Sequence, residues 1–311
     1  MINTVKNNAA KAAKTKPVLS ILIPYYKDDP SALLRALLAQ TKQQTQIEIL
    51  IYDDGTNDDA IYTSLSKIAK SGYVPVRLLF SAANKGRASA RNTLKQNAYA
   101  DWVLFLDADM LPSRDDFIVR YLTEIISEKT DVIFGGFTVQ QQISAPNTEL
   151  HRAFSQTSDC LSAKERTKSG PQYVCSSNLC VRSKILDAEP FDIHFKGWGW
   201  EDSEWAARIA SKYRLRHADI PALHLGLEST ETLLKRFKDS ASNYVYFTNK
   251  HPELAKTLTL YKLSQKLRHV PGQKLSRPLL ASTVRSKIIP TKLRLIALKL
   301  WRASWYAEAF S

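Results

Sequence analysis

Cysteine is scarce. The 311 residues hold three, Cys160, Cys175 and Cys180, with no CxxC pair and no histidine at zinc-finger spacing. A disulfide scaffold and a structural zinc module are thereby excluded, and free thiols in a reducing compartment are expected. Long apolar runs are missing too: no stretch approaches the roughly 18 residues of a membrane-spanning helix. The polar, Lys-rich opening MINTVKNNAAKAAKTK lacks the apolar centre of a signal peptide. Residues 1–16 are expected to be a disordered tail, and the protein cytoplasmic. Neither GxGxxG nor GxxxxGK[ST] occurs, which disfavours the dinucleotide-binding and P-loop folds. Acids are absent where basic residues are densest: Lys256 to Arg302 contains twelve Lys or Arg and no Asp or Glu. Most of the net charge of +14 therefore sits in the last fifth of the chain. The near-neutral remainder argues against a protein coated in nucleic acid.

What is present is ample apolar material, 44% of the residues, arranged as alternating strands and helices. Val18–Ile23 is an apolar run closed by Pro24, and Leu33, Leu34, Leu37 and Leu38 then recur at helical spacing. Ile47–Tyr52 is a second strand ending in Asp53-Asp54-Gly55, followed by a helix with Ile61, Leu65 and Ile68. Val74–Phe80 is a third strand, Arg87–Asn97 a helix, Trp102–Leu106 a fourth strand and Val132–Phe134 a fifth. Alternation at roughly 25-residue intervals predicts right-handed βαβ units and a mostly parallel sheet flanked by helices, a Rossmann-like α/β fold.

The stretch WVLFLDADMLP, Trp102–Pro112, sets two acids one residue apart at the end of a buried strand. Buried carboxylates need positive company, and a hard divalent cation carrying a substrate phosphate is one such partner. In open α/β sheets the carboxyl ends of the strands are where ligands bind. Alone, Asp-x-Asp also occurs in loops and helix caps.

Four stretches, LSILIPYY, EILIYDDGTNDD, NKGRASARN and FLDADMLP, resemble the nucleotide-binding half of family 2 glycosyltransferases of the GT-A fold, in that family's order and spacing. FDIHFKGWGWEDSEWAARI followed by ALHLGLES resembles the C-terminal part of galactosyltransferase-like members, with its Gly-Trp-Gly-x-Glu-Asp motif. There are two departures: Pro-Tyr-Tyr-Lys stands where Pro-x-Tyr-Asn is commoner, and Met110 where an acid is frequent. The resemblance spans about residues 18–230 and implies a GT-A domain over residues 17–255, its nucleotide-binding half at 17–135 and its acceptor-binding half at 136–255; beyond it, the basic stretch at 256–311 is expected to be an amphipathic, helical extension. It further implies transfer of a hexosyl or N-acetylhexosaminyl group from a nucleotide sugar, with UDP expected, to a glycan or lipid-linked acceptor in surface polysaccharide synthesis. Inversion and dependence on a divalent metal, Mn²⁺ or Mg²⁺, are part of the same expectation; a retaining transferase with similar motifs and a non-catalytic partner subunit of the same fold are the alternatives, and the placement of charge gives no role to nucleic acid.

Residue by residue, the resemblance gives Tyr26 an aromatic face for the base and Asp54 a carboxylate for a ring N–H such as uracil presents. Pro24 shapes that strand end. Asn84, Gly86 and Arg91 belong to the segment lying beside base and diphosphate. Asp107 turns toward ribose or metal-bound water, and Asp109 binds the metal with His224 as imidazole ligand, an O and N set suited to Mn²⁺ or Mg²⁺. Ser176, Ser177 and Asn178 match a segment lining the donor sugar.

In KGWGWEDSE, Trp198 and Trp200 offer flat faces to the C–H side of an acceptor sugar. Glu201 and Asp202 open a helix over Ser203–Ile209, where the N-terminal dipole favours carboxylates. By resemblance Asp202 is the general base that takes the acceptor hydroxyl proton, and Glu201 orients that hydroxyl. Core tryptophans and helix-start acids would look the same in sequence. Beyond, Pro271, Gly272 and Pro278 punctuate a linker before a helix at Thr291–Tyr306. Leu293, Ile296, Ala297, Leu300 and Trp301 share one face of it; Lys292, Lys299 and Arg302 lie opposite, with Leu295 and Leu298 interrupting. The pattern reads as an interfacial anchor on an anionic membrane surface, with a helix docked on the catalytic domain as the alternative. Peripheral placement at the cytoplasmic face is the expectation.

Overall fold

The structure, a computed structural model, describes residues 3–12, 15–42, 46–139 and 147–310. Its first part runs β1 (Asn3–Lys6), α1 (Asn8–Ala12), β2 (Leu19–Tyr25), α2 (Ser31–Gln40), β3 (Ile47–Asp53), α3 (Asp59–Lys70), β4 (Val76–Phe80), α4 (Arg87–Asn97) and β5 (Trp102–Leu106). Strands β4, β3, β2 and β5 are parallel neighbours in that order. β3 and β5 are buried along their whole length because helices cover both faces of the sheet. Leu33, Leu37, Leu65 and Ile68 pack on one face, and Ala88, Ala90 and Leu94 of α4 on the other. Common strand direction brings Tyr26, Asp54 and Asp107 to one edge, as the alternation implied.

Two expectations need correction here. Pro24 does not end its strand: β2 continues to Tyr25, with Pro24 opposite Tyr52. The tail expected to be disordered contains β1, antiparallel to β4 with Asn3 opposite Phe80. Asn7 anchors it by donating to the carbonyls of Ala69 and Val74. An edge strand's free hydrogen-bonding groups can recruit a polar segment whose own sequence carries no alternating signal.

The middle of the chain adds β6 (Met110–Pro112), α5 (Phe117–Ile126), β7 (Val132–Phe134), β8 (Phe137–Thr138), α6 (Glu149–Ser158), α7 (Ala163–Ser169), β9 (Asn178–Arg182), α8 (Ser183–Ala188), α9 (Glu201–Ile209), β10 (Leu215–His217) and β11 (Ala222–His224). The main sheet is completed in the order β1-β4-β3-β2-β5-β9-β7-β10, with β9 antiparallel to β5 and β7. A small second sheet, β6-β11-β8, sets His224 opposite Met110. That register carries an imidazole to Asp109, 115 positions earlier in the chain, a pairing no local pattern announces.

The chain closes with α10 (Thr230–Asp239), α11 (Ala241–Lys250), α12 (Pro252–Thr257), α13 (Thr259–Arg268), α14 (Arg277–Arg285) and α15 (Thr291–Ala309). The expected linker is largely helical: Pro278 lies in the first turn of α14, where a missing N–H costs nothing. Helix α15 packs against α6, α10, α11, α13 and α14. Its faces are not those the periodicity predicted. Leu298, expected on the polar side, is fully buried, whereas Leu293 and Ile296 are exposed. A helix contacting five others buries more than one stripe, so a single amphipathic face cannot be read from it. Two of the basic residues turn inward as well. Arg294 donates to the Val284 carbonyl, and Arg277 to Ser304 while pairing with Glu308. No helix among the described residues is long and apolar enough to cross a membrane.

Candidate active site

The strand-end edge expected to take the donor is built largely by backbone hydrogen bonds to carboxylates. Asp53 accepts from the N–H groups of Thr56 and Asn57 and closes the turn after β3. Asp54, buried beside it, accepts from Lys85 N at 3.0 Å and Gly86 N at 2.9 Å. The Asp54 carboxylate thus holds the 84–86 segment against the end of β3, and burial, only partly offset by those two bonds, raises its pKa. Gly86, with φ of +92°, starts α4 and has open space where a Cβ would be. Tyr26 and Asn84 are exposed at the same edge, and Pro24 is half-buried.

Arg91 does not lie open to a diphosphate. Its side chain is 1% exposed, and its guanidinium reaches Asp107 Oδ1 at 2.8 Å and Glu201 Oε1 at 3.6 Å. Burial alone would lower its pKa, but the charges of Asp107, Asp202 and Glu201 outweigh it and keep Arg91 cationic. The residue is a brace between the strand-end acid and the acid pair that opens α9. Arg87, one turn earlier on α4, stays half open with Nη1 3.8 Å from Asp107 Oδ2.

Asp109 and His224 face each other, Oδ2 to Nε2 at 3.2 Å. Burial would raise the Asp109 carboxyl, yet the hydrogen bond and charge of His224 hold it below the usual range. The imidazole is raised in turn, the carboxylate outweighing burial. Gly226 presses on the pair: a Cβ there would stand 1.9 Å from Asp109 Oδ2, so only glycine admits this approach. His151 lies behind, its ring centroid 6.1 Å from that of His224, its Nδ1 accepting from Glu228 N at 2.7 Å. Burial, then the neighbouring His224, lowers His151 to about 4, so it is neutral near pH 7. Among the described residues no set of three His, Cys, Asp or Glu converges. One carboxylate and one imidazole still fit a hard divalent cation that draws its other ligands from substrate phosphates and water.

The side expected to face the acceptor is the loop ahead of α9. Glu201 and Asp202 lie inside the helix's first turn, a little earlier than expected, and both carboxylates benefit from its dipole. Glu201 is buried, and burial with the adjacent charge of Asp202 pushes it up to about 7. Asp202 is half-buried, and its Oδ1 accepts a 2.6 Å hydrogen bond from Ser176. Trp198 leans on Phe237 with the Arg236 guanidinium 5.7 Å from its ring centroid. Trp200, expected to be an acceptor platform, packs instead: Phe247 stacks on it at 5.3 Å, Tyr244 lies at 4.4 Å, and Arg302 sits 5.0 Å over the ring. Asn243 ties the loop down, its side-chain NH₂ donating to the carbonyls of Lys196 and Gly199.

The structure therefore brings Asp107, Asp109, His224, Glu201 and Asp202 around one region and sets Arg91 beneath them. Sequence reasoning missed Arg87, Ser176 as the partner of Asp202, His151, Gly226 and Arg236. Arg87 was findable, since an i, i+4 pair on α4 shares the face of Arg91. Arg236 pairs with Glu228 at 2.5 Å and left no local signal.

The sequence model of the family described as glycosyl transferase family 2 matches residues 20–188. The chain is 25% identical over 231 residues to the glycosyltransferase AglE of Haloferax volcanii, covering 72% of each chain. It is 26% identical over 211 residues to the undecaprenyl-phosphate 4-deoxy-4-formamido-L-arabinose transferase of Sodalis glossinidius, covering 66% of this chain and 59% of that protein. The solved mannosyltransferase PcManGT of Pyrobaculum calidifontis, in complex with GDP-Man and Mn²⁺, matches with a TM-score of 0.58 at 14% identity, over 94% of this chain and 86% of that one. S. aureus TarS in complex with UDP matches at 0.52 and 16% identity, over 94% and 89%. At such identities the solved structures speak for the fold, which is GT-A-like.

Proposed function

The chain belongs to glycosyl transferase family 2, and from that premise we propose a metal-dependent, inverting transferase. It moves a hexosyl or N-acetylhexosaminyl group from a UDP-sugar to a glycan or lipid-linked acceptor. The observation that carries this reading is the Arg91 brace. One buried guanidinium holds both Asp107 after β5 and Glu201 at the start of α9, so the two acidic pairs meet around a single cation.

The nucleotide lies along the strand-end edge, Tyr26 stacking on the base beside the Asp54-held segment of Asn84 and Gly86. Arg87 and Arg236 supply positive charge for the diphosphate. Asp109 and His224 would hold Mn²⁺ or Mg²⁺, which when bound neutralises charge on the departing nucleoside diphosphate. Asp202, with Oδ1 engaged by Ser176, takes the proton of the acceptor hydroxyl as that oxygen bonds to the anomeric carbon and the bond to the diphosphate breaks. Trp198 flanks the acceptor sugar. The Mn²⁺ of the mannosyltransferase complex and the UDP of the TarS complex support the ion and the nucleotide. The undecaprenyl-phosphate transferase relative supports a lipid-linked acceptor. Leu279, Ile288, Leu293 and Ile296, exposed on α14, α15 and the turn between them, stand near Lys287, Lys292 and Lys299 in sequence. Such a surface suits contact with anionic lipid, to which each nearby Lys adds ~1 kcal/mol.

The test is transfer and slow hydrolysis across UDP- and GDP-sugars, before and after chelation, with NMR of the product anomer. Activity with a UDP-sugar that EDTA abolishes and Mn²⁺ restores is expected, with inverted configuration. Full activity after exhaustive chelation removes the metal from the reading. Inactivity with every nucleotide sugar overturns it.

A further inference from the structure

Trp200 is the last residue before the helix that carries Glu201 and Asp202, and its φ is +76°. A bulky L-residue in the left-handed region is strained and holds there only when its surroundings over-determine it. The indole is gripped by Tyr244 and Phe247 of α11, and its Nε1 donates to the Tyr306 hydroxyl at 3.1 Å. Tyr306 is fully buried on α15, with its ring stacked on Tyr244 at 4.6 Å. Its hydroxyl accepts a second hydrogen bond, from Arg302 Nε at 3.0 Å, and lies 2.6 Å from Ser240 Oγ. With two donors pointing at it, the Tyr306 hydroxyl gives its own proton to Ser240, which donates onward to the Phe237 carbonyl. Every valence of that hydroxyl is used, about 100 residues along the chain from the tryptophan it holds.

We propose that α15 is a positioning element of the catalytic site: Tyr306 and Arg302 lock Trp200 in its left-handed conformation, and that conformation aims Asp202 across the cleft. The proposal rests on Asp202 as the base. The C-terminal extension then belongs to the chemistry, and its basic residues divide between this clamp, structural pairs and the exposed surface. Trp200 acts through the backbone it starts, not through contact with a sugar.

Tyr306→Phe removes one hydroxyl and keeps the ring. Loss of aim by a fraction of an ångström to 1 Å costs up to about 100-fold in turnover. The expected result is a kcat lowered roughly 10- to 100-fold, with UDP affinity in the presence of Mn²⁺ changed less than about twofold. Ser304→Ala, which loosens α15 where it meets Arg277 and Gln273, serves as the stability control. A fall in turnover no larger than that control shows at equal loss of Tm overturns the proposal. A second pair separates backbone from side chain. Trp200→Gly is expected to retain more turnover than Trp200→Ala, because glycine takes φ of +76° without strain. The reverse order overturns the proposal as well. Should the wild type transfer from no nucleotide sugar, the functional reading falls alone, and hydrogen exchange at the Trp200 indole still decides the clamp. Faster exchange in Tyr306→Phe supports it, and unchanged exchange overturns it.

Discussion

The proposed donor edge and the proposed acceptor loop are made in different ways. At that edge Tyr26, Asp54 and Asp107 each follow directly on a strand, and backbone hydrogen bonds to Asp53 and Asp54 fix the turns after β3 and β4. At the acceptor loop almost nothing is local. Lys196 to Trp200 is held by Asn243, Tyr244 and Phe247 of α11 and by Tyr306 of α15. A ligand site on strand ends inherits its precision from the sheet, whereas a site on a Gly-rich loop must borrow it from packing around it. The two halves should therefore fail differently when altered: the first in nucleotide binding, the second in turnover and stability.

The sharpest test of that contrast is Asp202→Asn. Turnover should drop by roughly 10²–10⁴, with UDP binding unchanged by calorimetry; near-normal turnover would take Asp202 out of the mechanism. Next comes Arg91→Met, which leaves Asp107 and Glu201 without the cation they share. Breaking a buried pair in this way costs about 3–5 kcal/mol, so a large fall in Tm is expected. If Arg91 were instead a diphosphate contact, Tm would hold and only nucleotide affinity would suffer.

Glu201→Gln gives a smaller, pH-dependent effect. The Glu201 carboxyl is raised from an ordinary 4.5 to about 7 by burial and by Asp202. For an acid raised on folding, stability is fully present below the unfolded pKa and is lost as pH rises through the folded one. The variant should therefore match wild type below about pH 4.5 and exceed it in Tm above about pH 7. A constant difference across that window would contradict the shift. Smallest in magnitude is the outer surface of α15. Leu293→Glu with Ile296→Glu should reduce co-sedimentation with anionic liposomes while donor hydrolysis stays within twofold. Equal sedimentation of variant and wild type would remove the membrane contact. Deleting α15 cannot serve, because it would remove the fully buried Leu298 and Tyr306 and uncover the helices packed on them.

Much of the strand-end edge was legible in the sequence, and the reason is physical. β2, β3, β5 and α4 each carry their own periodicity, and parallel βαβ units force consecutive strand ends to one edge. Asp107 and Asp109 had to lie there. The limits are equally specific. Arg91 read as a nucleotide contact because one position on a helix says nothing about which acid will be folded over it. Trp200 read as a platform because an aromatic ring beside glycines looks the same whether it faces a ligand or a core. The N-terminal residues carried no strand signal, since the edge of β4 supplied the pairing. On α15, buried Leu298 and exposed Leu293 exchanged their expected places because five neighbouring helices, not one apolar surface, receive that helix.

By itself the sequence determined the alternating α/β layout, the shared edge of the parallel strands and the acids gathered on it, all consequences of short-range pattern and chain handedness. Tertiary structure alone decided who meets whom across long separations: His224 with Asp109, Arg91 with both acid pairs, Ser176 with Asp202, Tyr306 with Trp200. Periodicity states which face a residue lies on, whereas the identity of its partner is set only when distant segments pack together and every buried polar group must find its complement.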